Sequence, residues 1–255
     1  SGVSKGIASS QHLFRRGFIS NGPQAALLPV GAGIASEIKA KGNISVSFIG
    51  EGTLGEGLVY ETLNMAALFN IPHLFVLENN FYSQSTPQTN NTAGDIEARF
   101  SAFGVKTFTA NTWHTAEFLA IAQEAVDYTR KNGKPAAMLL QTYRLNAHSK
   151  GDDDRESKEV AFFKSIDPLN LVAEHDKKMA KKFAAIEAEV DAYFEQAYEK
   201  PELELSEYLG DQLPRKTSAR ATAANTHYEG RVVERINAFL RDQVADNDAV
   251  IIGED

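Results

Sequence analysis

Ile44-Ser-Val-Ser-Phe-Ile-Gly-Glu-Gly52, and Asn79-Asn80 with 26 residues between the two groups, form the stretch on which the fold turns. The apolar run Ile44–Ile49 leads into Gly50-Glu51-Gly52, and a second run, His73-Leu-Phe-Val-Leu77, leads into the two asparagines, so both polar groups sit at strand exits. Between them, Glu56 to Asn70 sets Leu58, Thr62, Met65, Ala66 and Phe69 at helical spacing on one face. The unit reads strand, turn, helix, strand, which is a βαβ crossover. In open parallel sheets, ligands collect beyond the carboxyl ends of the strands; here those ends carry one carboxylate, two carboxamides and a glycine turn that opens a helix. Oxygen donors beside a helix N-terminus suit a hydrated Mg²⁺ holding a diphosphate.

Working outward, helices are expected at about 24–40, 55–70, 95–103 and 114–132, and strands at 44–49, 73–78, 105–109 and 136–142. This alternation predicts an α/β fold, a mostly parallel sheet with helices on both faces. The Gly31/Gly33 pair is expected to let a helix pack closely under the glycine turn. Residues 1–22, rich in Gly and Ser, read as an extended approach to the core, and the chain reads as beginning mid-domain. Lys150-Gly-Asp-Asp-Asp-Arg-Glu156 reads as an exposed, mobile charged loop. Phe183, Ile186, Val190, Phe194 and Tyr198 give the segment Met179 to Lys200 an amphipathic helical face that needs the core or another subunit to cover it. Residues 216–226 read as a linker, after which a helix is expected over Tyr228 to Val244 and a strand over Ala249 to Ile252.

The 255 residues are 43% hydrophobic, enough to bury about 70% of the surface of the unfolded chain. A net charge of −8, with no basic stripe, argues against nucleic acid and anionic membrane as partners. An anionic ligand must then be held by local donors and metal. There is no cysteine, so disulfides and thiolate-bound zinc are out of reach. No apolar run of about 18 residues and no secretory pattern is visible, and cytoplasm is the expected compartment.

The glycine-acid-glycine and paired-asparagine pattern resembles the thiamine diphosphate motif, in which the acid is usually Asp where this chain has Glu51. Further motifs extend the resemblance: Gln24 to Ile34, Asn64-Met-Ala-Ala-Leu68, Glu78-Asn-Asn-Phe-Tyr82, Gln141-Thr-Tyr-Arg144 and Ala147-His-Ser149. From about Ser10 to about Pro214 the chain is similar to the alpha subunit of 2-oxo acid dehydrogenases, the thiamine-dependent decarboxylating component that feeds lipoyl domains. Residues 227–255, ending Ile-Gly-Glu-Asp255, look like the opening of the beta subunit. The resemblance therefore implies an N-terminally incomplete alpha-type domain over 1–214, a linker over 215–226 and the start of a fused beta-type domain over 227–255, in a thiamine diphosphate-binding fold.

Metal ligation by Glu51, the Asn80 side chain and the Tyr82 backbone carbonyl follows from the same resemblance, with Mg²⁺ as the metal. The added methylene of Glu51 must then be absorbed by backbone, rotamer or water, because Mg²⁺ demands near-octahedral geometry. Gly52 and Thr53 would offer N–H groups to the diphosphate at the helix start. Gly22 and Gln24 fall at thiamine contacts, although an apolar residue is usual at the latter position. His148 would stabilise the reacting intermediate or donate a proton, work that an imidazole suits; the bland alternative is a surface-loop histidine. The second histidine often found in that loop is replaced here, where Asn146 and Ala147 precede His148. His12 is held as a substrate contact, and Ser149 matches a regulatory phosphorylation position. Asn79 reads as a turn-former.

The implied activity is oxidative decarboxylation of a small 2-oxo acid, with acyl transfer to a lipoyl-bearing acyltransferase and this chain holding the diphosphate and Mg²⁺ half of the site. A beta-type subunit or fused domain would complete the site within a two-fold symmetric oligomer. The alternatives are a thiamine-dependent carboligase or transketolase-like lyase, and a noncatalytic scaffold.

Overall fold

The structure is a computed structural model and describes residues 12–149, 151, 153–201 and 231–246. Two compact units are present, Ser1–Leu203 and Glu204–Asp255. In the first, the hairpin β1 (Phe14–Arg15) and β2 (Phe18–Ile19) leads through a 3-10 turn, Gln24–Ala26, into α1 (Leu27–Ile38). Then follow β3 (Ser45–Gly50), the 3-10 turn Glu51–Gly55, α2 (Gly57–Leu68), β4 (His73–Asn79) and the hairpin of β5 (Tyr82–Ser83) with β6 (Thr86–Pro87). After these come α3 (Ile96–Ser101), β7 (Lys106–Asn111), α4 (Thr115–Asn132), β8 (Ala136–Gln141), α5 (Ser157–Ser165), α6 (Pro168–His175) and α7 (Lys177–Tyr198). The second unit contributes α8 (Val232–Asp246). The linker and final strand expected from sequence, and the proposed boundaries at 214 and 226, lie outside the described residues. Among the described residues no helix is long and apolar enough to cross a membrane.

Four strands form an all-parallel sheet in the order β3-β4-β8-β7. The inner strands β4 and β8 are apolar on both faces, as a strand covered from both sides must be. Phe75 and Leu77 of β4, with Ala137 and Leu139 of β8, join the core formed with α1, α2 and α3. Leu74 and Val76, with Met138 and Leu140, turn the other way and meet Phe118, Ile121, Ala122 and Val126 of α4. Side chains alternate across a strand, so one run of apolar residues serves two layers.

Several details differ from the sequence reading. The buried stripe of α2 is Val59, Thr62, Leu63 and Ala66, while Leu58 is 39% and Phe69 58% exposed. Two apolar stripes compete on this helix, and the one with compact Val and Ala lies against α1 and the sheet. Of the glycine pair in α1, only Gly31 makes a close approach: a Cβ there would stand 2.5 Å from His73 Cε1 and 2.7 Å from Ser47 Oγ, whereas Gly33 faces open space. That contact lies at the amino end of β4, not under the glycine turn. Residues 13–20 fold back as a hairpin rather than running extended, closed by the Ser20 N–H on the Leu13 carbonyl. The charged segment 150–156 is not wholly exposed, because the side chain of Arg155 is only 3% accessible. On α7, Phe183 is half-buried but Ile186, Val190, Phe194 and Tyr198 stay 44–82% exposed, so the rest of its own unit does not cover that face.

Candidate functional site

A cleft of about 800 Å³ opens at the carboxyl ends of three adjacent strands, β3, β4 and β8. Register places Gly50, Glu78 and Leu140 side by side, so the chain leaves all three strands along one edge. Gly22, Gln24, Glu51, Gly52, Thr53, Asn80, Tyr82 and His148 all line this cleft, together with Arg144 and Ser83. His12 does not, although its neighbour Leu13 does.

Glu51 is 1% exposed at the start of its turn. Its Oε2 accepts the Asn80 N–H at 3.2 Å, which joins the first strand exit directly to the second. Its Oε1 has no hydrogen-bond partner in the protein. Burial pushes the Glu51 pKa up, while its own and the Asn80 backbone N–H groups and the Arg144 charge pull it partly back. A buried carboxylate oxygen without a donor is costly, and a hard cation is the partner it fits. Among the described residues there is no cluster of three or more His, Cys, Asp or Glu side chains able to hold a metal. The available donors are instead one carboxylate, one carboxamide and backbone carbonyls, the oxygen set that Mg²⁺ accepts alongside water and phosphate.

The turn after β3 is held from both ends. Gln24 Oε1 accepts from the Gly50 N–H at 2.8 Å and from Thr53 Oγ1 at 2.7 Å. The Leu54 carbonyl accepts from Tyr60 Oη at 2.5 Å and from Arg99 Nη1 at 3.1 Å. Close approach requires Gly52, where a Cβ would fall 2.2 Å from Ser83 Oγ.

The second exit is built from successive asparagine turns. Asn79 Oδ1 accepts from the Phe81 N–H and Asn80 Oδ1 from the Tyr82 N–H, each at 3.1 Å. Asn79 thus acts as a turn-former, and Asn80 Oδ1 retains acceptor capacity. Phe81 sits in left-handed backbone at φ +70°, which a phenylalanine seldom adopts. His148 is exposed at the mouth, its Nδ1 2.9 Å from Ser149 Oγ.

Sequence reasoning missed the aromatic floor behind this turn. Tyr82 and Tyr143 both donate to Glu159, Arg155 lies over both rings, and Arg144 Nη2 donates to the Gln84 carbonyl at 2.7 Å. Only the unusual run of aromatic residues at strand exits (Phe81, Tyr82, Trp113, Tyr143) hints at it in the sequence.

The fold and site define a parallel α/β domain with a polar cleft at the carboxyl ends of its strands. Residues 2–206 match the family model described as "Dehydrogenase E1 component", and the chain belongs to that family. It is 35% identical over 179 residues to the pyruvate dehydrogenase E1 component subunit alpha of Rickettsia bellii (strain RML369-C), covering 67% of this chain and 55% of that protein. The corresponding subunit of Zymomonas mobilis is 35% identical over 161 residues, or 61% of this chain and 46% of the relative. The testis-specific mitochondrial form of Rattus norvegicus is 30% identical over 231 residues, or 84% and 59%. The chain thus spans about half the length of the curated relatives it matches. A solved transketolase from Campylobacter jejuni aligns with 47% of this chain and 19% of its own at a TM-score of 0.37 and 22% identity. The fold assignment rests on the sheet topology rather than on that likeness.

Proposed function

We propose that this chain is the alpha-type half of a thiamine diphosphate- and Mg²⁺-dependent 2-oxo acid dehydrogenase component, which decarboxylates a small 2-oxo acid and passes the acyl group to a lipoyl-bearing acyltransferase. The observation that carries the reading is the buried, donor-free Oε1 of Glu51, tied through Oε2 to Asn80 at neighbouring parallel strand ends. Glu51, Asn80 and the Tyr82 carbonyl would hold the metal, and the N–H groups of Gly52 and Thr53 would face the diphosphate. Arg144 adds positive charge to a chain that is acidic overall. When bound, the cofactor supplies a carbon nucleophile and an electron sink for decarboxylation. His148 at the cleft mouth would hold or donate a proton near the reacting atoms. Gly22 and Gln24 would border the thiamine, with Gln24 also fixing the turn through its two hydrogen bonds.

A beta-type subunit or domain would supply the remaining wall, in a two-fold symmetric assembly. Calorimetric titration of the full chain with thiamine diphosphate in Mg²⁺ buffer tests the anchor, and a beta-type partner with a panel of 2-oxo acids and an artificial electron acceptor tests the chemistry. The expected result is saturable binding that requires Mg²⁺ and exceeds that of inorganic pyrophosphate. Binding no tighter than pyrophosphate would reduce the site to a generic phosphate cleft and overturn the reading.

A further inference from the structure

Helix α5 gathers three strand exits onto one short surface. Glu159 Oε2 accepts from Tyr82 Oη at 3.0 Å, after β4, and Oε1 accepts from Tyr143 Oη at 2.8 Å, after β8. One turn on, Phe163 stacks on Tyr143, with ring centroids 3.9 Å apart and planes at 10°. The same ring lies 5.4 Å from Trp113, after β7, and 6.1 Å from Phe81. Arg155, just before the helix, places its guanidinium over Tyr82 and Tyr143 at 5.6 and 5.2 Å and is itself fixed by Asp153 at 2.7 Å and the Asn146 carbonyl at 3.0 Å. Both tyrosines stay protonated donors over the ordinary pH range, since burial and the Glu159 carboxylate raise their pKa values, that of Tyr143 to about 12.

What this surface holds down is the turn at Asn80–Tyr82. Phe81 is in left-handed backbone, a conformation that costs on the order of 1–3 kcal/mol and persists only where the surroundings over-determine it. The two asparagine turns act on it from within the chain, and α5 acts from outside, through the Phe81 ring and the Tyr82 hydroxyl. Glu159 does not line the cleft, so any effect it has on ligands passes through Tyr82.

We infer that Glu159 is a positioning residue: by accepting from Tyr82 and Tyr143 together it clamps α5 onto the strand exits and fixes the Asn80–Tyr82 turn in the geometry that binds ligand. The link to cofactor rests on the reading of this turn as the metal arm, whereas the clamp itself does not. Two measurements on the full chain separate them. Without ligand, native-state hydrogen exchange at the Phe81 and Tyr82 amides should quicken about tenfold in Glu159→Ala, the effect of losing hydrogen bonds to a charged acceptor. Tyr82→Phe, which deletes a single oxygen, should do nearly the same, and Glu159→Gln, which keeps one acceptor, should recover part of the protection.

The emission of Trp113, the only tryptophan, should become more accessible to quencher in Glu159→Ala as Phe163 loosens. With Mg²⁺, affinity for thiamine diphosphate should weaken about tenfold in the same variants, and the Tyr82→Phe/Glu159→Ala double variant should be no worse than Glu159→Ala alone. Should Glu159→Ala fail to fold, Tyr82→Phe decides. Exchange at residues 80–82 unchanged from wild type in the variants that fold overturns the clamp. Wild-type chain that does not bind thiamine diphosphate sinks the functional reading and leaves exchange and quenching to judge the clamp.

Discussion

Two buried ionisable side chains mark opposite ends of the same sheet. Glu51 follows β3 at its carboxyl end and His73 opens β4 at its amino end; both are buried, and both carry polar atoms with no partner in the protein. Their surroundings separate them. Glu51 lines an open cleft together with Arg144, Asn80 and the glycine turn. His73 is sealed, with Gly31 against its ring and Phe75 4.3 Å away. Burial lowers its pKa to about 4, and the Gly31 backbone favours the protonated ring slightly without reaching hydrogen-bond geometry. An unsatisfied group beside a cavity is a ligand's place, while one inside packed core is a standing cost.

The sharpest way to break this contrast is Glu51→Gln. Losing the carboxylate should weaken Mg²⁺-dependent thiamine diphosphate binding by about 100-fold or more, roughly 3 kcal/mol, read by calorimetry. The ligand-free fold should become more stable. A carboxyl whose pKa is raised on folding supports the fold below its unfolded pKa and loses that support as pH rises through the folded value, so at neutral pH the charge is a burden. A gain of about 0.5–2 kcal/mol in urea unfolding is expected. Loss of stability together with loss of binding would mean that the carboxylate supports the fold itself, and that the weaker binding follows from the damaged fold rather than from a lost ligand.

His73 should behave in the opposite sense. Its pKa falls from 6.5 unfolded to about 4 folded, so nothing changes above pH 6.5. Between 6.5 and about 4 only the unfolded chain takes up the proton, and stability drops as pH falls. At about 1.4 kcal/mol per unit, the loss is roughly 3 kcal/mol by the bottom of that window. His73→Leu should flatten that part of the profile in urea unfolding followed from pH 7 to 4. A wild-type profile matching that of His73→Leu would mean that the ring is hydrated or paired.

The strand-turn-helix-strand unit was legible because two independent signals coincide there: apolar runs long enough for strands, and polar groups that end them. The choice of helix face on α2 was not, since Leu58/Phe69 and Val59/Ala66 fit the same period and only the neighbouring helix distinguishes them. Glu51 and Asn80 could be named from the sequence, but their direct hydrogen bond could not, as it depends on the β3–β4 register. Arg155 reads as one member of the charged stretch 150–156, and nothing in the sequence singles out Glu159. What buries Arg155 is the pair of tyrosines from distant strand exits, and residues 82, 143 and 159 are joined only by the tertiary fold.

A smaller effect sharpens the comparison, because a glycine stands beside each of the two groups. Gly31→Ala gains helix propensity worth about 1 kcal/mol, but its Cβ would meet His73 Cε1 at 2.5 Å and Ser47 Oγ at 2.7 Å in packed core. Overpacking of that kind costs about 1–3 kcal/mol, so a net loss of about 1 kcal/mol in urea unfolding is expected. His73→Ala should relieve the clash, making the double variant less unstable than the sum of the two singles. Gly52→Ala meets Ser83 Oγ at 2.2 Å and Ser83 Cβ at 2.6 Å instead, beside a hairpin tip, residues 84–86, that is exposed at the cleft edge. Its stability should change by less than about 1 kcal/mol. The displaced hairpin carries Tyr82, however, so thiamine diphosphate affinity should fall while the fold holds. Equal losses of stability at the two glycines would show that the cleft end of the sheet is as rigid as its sealed end, and that the unpartnered Oε1 of Glu51 is a cost of packing like the His73 ring.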